Sequence, residues 1–198
     1  MSWELVERLR ERFPEIEPFP REAGDAESPG EPAAPAGRPA RHEPKAYAYH
    51  VPGAFVPADR LLAVCRVLRD DAPFLLDYCS FVSAVDRPDQ GIIEVVYHLF
   101  SMAERHEMLV KVRVPREAPL APSVADIWRG ANWHERETYD LFGIVFEGHP
   151  DLRRIMLTED WVGHPLRKDY VYEEPRWLVD LAAQRQKEIE GLGLGERA

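Results

Sequence analysis

Cysteine is scarce in this chain of 198 residues: there are two, Cys65 and Cys79, and they do not form a Cys-x-x-Cys pair. Two thiols cannot supply the four ligands that an iron–sulfur cluster or a structural zinc ion normally takes. Flanked by apolar residues, they read as reduced core thiols. Gly-rich turns between a strand and a helix are also missing, which excludes a dinucleotide fingerprint and a phosphate-binding P-loop. Basic charge is in deficit. A net charge of −10 argues against a general nucleic-acid binder, whose phosphate contacts need an excess of Lys and Arg. No apolar run is long enough to cross a bilayer; the longest, around residues 92–100, is short and interrupted. The charged start MSWELVERLRERF lacks the apolar stretch of a secretory signal. A cytoplasmic protein that meets a membrane only through partners is the expectation.

What the chain does have is enough apolar content, 45%, for one domain with a core that needs no staples. Residues 1–21 predict an N-terminal amphipathic helix, with Trp3, Val6, Leu9 and Phe13 at helical spacing and Pro14 as its stop. Residues 22–46 are dominated by Pro, Ala, Gly and charge and lack large apolar residues, the composition of a flexible linker. Residues 47–116 predict an α+β domain. A strand at 47–51 is broken by Pro52-Gly53, and a helix at 57–71 carries Leu61, Leu62, Val64, Cys65 and Leu68 on one stripe. Strands follow at 74–85, 92–101 and 107–115. In the last of these Met108, Val110, Val112 and Val114 alternate with Lys111 and Arg113, as in an antiparallel sheet with one wet face. The expected fold class is therefore two-layer α+β, a mainly antiparallel sheet packed by helices, followed by an extended C-terminal tail. Residues 117–175 hold a short helix capped by Ser123, a second helix from Trp133 to Phe142 capped by Asn132 and ended by Gly143, and an extended run. Residues 176–198 predict a last helix and a frayed end.

Residues 131–170 concentrate His, Glu, Asp, Arg and aromatic side chains, and Gly-His-Pro occurs in them twice, at 148–150 and 163–165. Three readings fit. On a helix, His134, Glu137 and Asp140 recur every three residues and share a face, a partial ligand set for zinc or iron, or an acid–base pair. Alternatively, carboxylates at 135, 137 and 140 pair with Arg136, Arg153, Arg154 and Arg167 and hold an irregular tail on one course, with the two His-Pro pairs stiffening the path. Extended further, a rigid tail rich in Arg and rings is a docking surface.

Glu135-Arg136-Glu137, then Asp140-Leu141-Phe142, His149, Arg153-Arg154-Ile155-Met156 and the following GHPLRKDY resemble the signature of one family. It is the 30 kDa subunit, also called the C subunit, of proton-pumping NADH–quinone oxidoreductase, respiratory complex I. The resemblance implies a subunit of the peripheral arm, on the cytoplasmic side of the cell membrane. It implies that this chain holds no cofactor; FMN, iron–sulfur clusters, NADH and quinone (such as ubiquinone) belong to partner subunits. The implied partners are the quinone-site subunit and the subunits carrying nearby clusters. Glu135, Arg136, Glu137, Asp140, His149, Arg153, Arg154, His164 and Arg167 are then signature residues for scaffolding and for contact between subunits. The alternatives are an equivalent subunit of a related membrane-bound hydrogenase or oxidoreductase and, in another class, a metal-dependent hydrolase using His134, Glu137 and Asp140.

Overall fold

The computed structural model describes residues 2–20, 51–172 and 176–191. The Pro/Ala-rich stretch 22–46 and the predicted strand residues 47–50 lie outside them. Two compact units divide the chain, Met1–Lys168 and Asp169–Ala198. In the second, helix α4 (Arg176–Gly191) is the regular element, with Leu181 and Ile189 exposed.

The first unit is an α+β domain. Helix α1 (Ser2–Arg12) leads into a short strand β1 (Glu17–Pro18). Strand β2 (Gly53–Phe55) and a single 3-10 turn (Ala58–Arg60) precede helix α2 (Leu61–Asp70). The long strands β3 (Tyr78–Arg87), β4 (Ile92–Phe100) and β5 (Glu107–Pro115) follow. Together they form a five-stranded sheet in the order β1-β2-β5-β4-β3, antiparallel throughout except for the parallel pair β2–β5. A second, two-stranded parallel sheet pairs β6 (Leu120–Pro122) with β7 (Val145–Glu147), and helix α3 (Ala131–Phe142) connects the two.

Register explains the core. Val95 faces Val112 and Tyr97 faces Val110 across β4 and β5. With period 2, that lays Ile93, Val95, Tyr97 and Leu99 beside Met108, Val110, Val112 and Val114 on one face; all eight are buried. Leu5, Val6 and Leu9 of α1 and Leu61, Val64, Cys65 and Leu68 of α2 complete the same cluster. Each such side chain contributes about 1.5–3 kcal/mol by leaving water. Cys65 and Cys79 are buried free thiols within it.

Several expected elements differ. Val51 lies in a bend, and the strand starts at Gly53, the residue expected to break it. A Cβ on Gly53 would sit 2.3 Å from the Leu109 carbonyl oxygen and 2.4 Å from the Phe19 ring, so glycine here marks a close approach of two backbones. The strand expected at 74–85 begins at Tyr78 and continues through Asp86 and Arg87. Ser123 starts one turn, in which the Ile127 and Trp128 amides both bond the Val124 carbonyl, and the expected short helix does not form before α3. Helix α3 begins one residue before Asn132, behind Gly130, and no side chain caps it. The predicted wet face is only partly wet. Lys111 is buried, its Nζ 3.2 Å from Glu94 Oε2 and near the Phe19 and Phe55 rings, while Arg113 lies 3.7 Å over Phe55. A buried lysine on a sheet face is tolerable when paired in this way.

Candidate functional site

Helix α3 is built to be gripped. It lies along the edge strand β3, where the Thr138 hydroxyl reaches the Val82 carbonyl at 3.4 Å. Gly143 ends it in the left-handed region at φ 77°, its amide bonding the Tyr139 carbonyl, the conformation a glycine accepts without penalty. Beyond β7 the chain, residues 148–168, returns along this helix with no helix or strand of its own. It has few ladder bonds, so side chains must hold its course.

Asp140 is the main anchor. Fully buried, its Oδ2 accepts the amides of Ile155, Met156 and Leu157 at 3.0, 2.8 and 2.9 Å, and its Oδ1 lies 3.3 Å from Arg154 Nη1. Three amides converging on one oxygen form an anion cradle. Arg154 Nη2 also donates to the Gly163 carbonyl. The Asp140 backbone carbonyl accepts His164 Nδ1–H at 2.9 Å, and the other edge of that ring fills the space left by the missing side chain of Gly143. Arg167 Nε donates to the Phe142 carbonyl at 2.7 Å, and the Leu166 amide to the Leu141 carbonyl at 3.1 Å; both satisfy carbonyls that the helix end would leave open.

At the other end of α3, Glu135 Oε2 accepts the Ser123 hydroxyl at 2.6 Å and Oε1 the Val124 amide at 2.7 Å. Burial raises its carboxyl from 4.5 to about 7, against the two hydrogen bonds, and nearby Asp126 adds to the rise. His149 sits 3.9 Å away; its Nδ1 accepts the Asp151 amide, so Nε2 carries the proton donated to the Asn132 carbonyl. Asp86 ties the strap's end to β3: Arg116 donates to both of its oxygens at 2.8 and 3.1 Å, and the Lys168 amide to Oδ2 at 2.8 Å. Burial alone would raise the Asp86 carboxyl; the bonds from Arg116 and Lys168 and the charges of Arg116 and Arg167 outweigh it and hold it below its ordinary range.

The structure therefore brings Glu135, Asp140, His149, Arg154, His164 and Arg167 into one lacing. Arg136 is buried beside it, donating to the Arg153 carbonyl and covering the Trp133 ring at 4.8 Å. Glu137 and Arg153 stand apart. Glu137 is exposed, and Arg153 is 71% exposed and among the described residues pairs only with Asp151; the expected buried pairing of these two is not formed among them. The sequence reading missed Asp86 and Arg116, which lie in a predicted turn and just past a strand. Ser123 carried a signal as a capping residue, but its Oγ serves Glu135 and the Ala125 amide. His134, Glu137 and Asp140 do not converge. Asp140 is committed to amides and Arg154, and among the described residues no group of three or more His, Cys, Asp or Glu side chains is placed to hold a metal.

The model of the respiratory-chain NADH dehydrogenase 30 kDa subunit family matches residues 54–176, from within β2 through the whole strap. The chain belongs to this family. The C subunit of NADH-quinone oxidoreductase from Chloroherpeton thalassium is 49% identical over 117 residues, covering 59% of this chain and 48% of that protein. Its counterpart of the same name from Roseiflexus castenholzii is 50% identical over 112 residues, 56% of this chain and 64% of that protein. The chain thus spans about half to two thirds of the length of these relatives. Among solved structures, a trypsin-resistant fragment of Nqo5 is 26% identical at a TM-score of 0.50, covering 77% of this chain and 100% of the fragment. Family and fold agree with the resemblance stated from residues 135–170. Among the described residues no helix is long and apolar enough to cross a membrane.

Proposed function

We propose that this chain is a cofactor-free structural subunit of the peripheral arm of a proton-translocating NADH–quinone oxidoreductase. On this reading it supports electron transfer from NADH to quinone by holding the quinone-reducing module together, on the cytoplasmic side of the membrane. FMN, the iron–sulfur clusters and the NADH and quinone sites belong to its partners, of which the quinone-site subunit and the subunits carrying nearby clusters are the nearest. The observation that carries the reading is the family match across residues 54–176. The strap's geometry supports it: Asp140, Arg154, His164 and Arg167 are used up internally, whereas Trp133, Met156 and Val162 are 61%, 63% and 85% exposed. Large exposed side chains on a fixed backbone suit a subunit interface. Asp140, His149, Arg154, His164 and Arg167 then hold the strap, Glu135 and Arg136 lie buried beside it, and Glu137 and Arg153 face partners.

A tagged copy expressed in its own cells tests this. Affinity purification should bring down the quinone-site subunit, the cluster-bearing subunits and an NADH-oxidising flavoprotein. Recovery of the chain alone, or with hydrogenase-type partners and no flavoprotein, would overturn it.

A further inference from the structure

Between α3 and the edge strand β3 lies a cleft of about 380 Å³. Phe81 and Ser83 line it from β3, His134, Glu137 and Leu141 from α3, and Leu166 from the strap. Two of its apolar walls face water: Phe81 is 39% exposed and Leu166 50%. The strap closes over the C-terminal end of α3 and stops short of covering this gap, because the Leu166 amide is tied to the Leu141 carbonyl and Arg167 to that of Phe142. Within the unit, therefore, the folding interactions hold the cleft open.

Its electrostatics are one-sided. Glu137 stands exposed at the lining and, among the described residues, forms no ion pair or side-chain hydrogen bond, although every other acidic group of α3 is taken up in the lacing. The whole chain carries −10. A visitor with an apolar side chain would remove Phe81 and Leu166 from water, and a cation beside that side chain would meet Glu137. An acidic visitor would be repelled by both the local and the overall charge.

We propose that this cleft is the docking site for a segment of a neighbouring subunit that presents an apolar side chain next to a lysine or arginine. The inference rests on the peripheral-arm reading above and adds which surface is used and the chemistry of what fills it.

The test uses the assembled complex. Leu166 is replaced by the photoreactive p-benzoylphenylalanine, the purified complex is irradiated, and the cross-linked peptide is sequenced. The expected product joins this chain to another subunit at an apolar residue adjacent to Lys or Arg. In parallel, Glu137→Arg should lower co-purification with the other subunits by at least about tenfold, the equivalent of one lost charge-assisted contact. Glu137→Gln should lower it less and remove part of its salt dependence. The melting temperature of the isolated chain should be unchanged in both, since Glu137 pairs with no charge among the described residues. A cross-link only within this chain, a cross-link to an acidic segment, no cross-link in a complex that assembles, or wild-type recovery of Glu137→Arg would each overturn the docking proposal while leaving the peripheral-arm reading intact. Wild-type chain that recovers no oxidoreductase subunit would overturn that reading first.

Discussion

Asp140 is a fully buried carboxylate whose contact with Arg154 is a single one at 3.3 Å. What makes its burial tolerable is three backbone amides, which cost no side-chain entropy to place once the strap has turned. Asp140→Ala leaves those amides and a guanidinium without their acceptor, and should cost about 3–5 kcal/mol of chain stability. Hydrogen exchange at Ile155, Met156 and Leu157 is the sharper measurement. Their amides should lose protection in the variant, and unchanged protection would show that Asp140 does not hold the strap. Glu135 makes a different prediction. Its folded carboxyl sits at about 7 against 4.5 when unfolded, so the folded chain binds that proton more tightly. Its contribution to stability is thus fully present below about 4.5 and falls by about 3 kcal/mol as pH rises through 7. Glu135→Gln keeps an acceptor for the Val124 amide and has no charge to bury. Measured by urea unfolding from about pH 5 to pH 8, the variant should gain on the wild type with rising pH. A difference that stays flat would mean that the buried carboxyl is as acidic as a free one.

Among the elements, the C-terminal end of α3 combines a close contact with a left-handed backbone. A Cβ on Gly143 would lie 2.5 Å from His164 Nε2, and the left-handed φ of 77° adds about 1 kcal/mol for any other residue. Gly143→Ala should therefore cost about 2–3 kcal/mol, while in a His164→Ala background only the backbone part of about 1 kcal/mol should remain. Additivity in that double-mutant cycle would show that ring and glycine do not touch. This contact also measures what a sequence reveals. Strand β5 was legible because its alternation outweighs any single substitution, β4 because a run rich in branched and aromatic residues sits between two turn signals, and Gly143 was legible as a helix end because few other roles fit a glycine there. The three-residue strands β2, β6 and β7 were not, because pairing with a distant partner, and no local pattern, makes them strands. Residue types in the site were legible in the same limited way. An Asp and a Glu on one helix next to an Arg-rich tail announce pairing, but the partners of Asp140 are amides of Ile155, Met156 and Leu157, and an amide has no letter in the sequence. Glu137 and Arg153 resemble their buried neighbours in every respect except which way the helix and strap turn them.

For the molecule as a whole, the question is where binding energy can reside once folding has taken its share. The first unit gathers its buried aliphatic residues in a single core and commits the buried carboxylates of Asp140 and Asp86 to the strap. What remains for association is a set of side chains held rigidly and left wet, and Trp133 is the largest of them. It is 61% exposed, with Arg136 stacked on its ring at 4.8 Å, and it projects from a helix fixed by contacts on its other side. Such an indole adds little to folding, since most of its surface stays in water in both states, so Trp133→Ala should change the stability of the isolated chain by no more than about 0.5 kcal/mol. At an interface the same side chain is a pre-organised anchor, and its loss there should cost about 2 kcal/mol, roughly a 30-fold weaker association. The two effects separate in one experiment: unfolding of the purified variant chain, and quantitative recovery of the complex from cells that carry it. Intact folding with reduced recovery, and normal quinone reduction per recovered complex, is the expected pattern for a subunit that works by gripping others. Full recovery with a slowed quinone reaction would instead place Trp133 beside the chemistry, and the strap would have to be read as part of the reaction site.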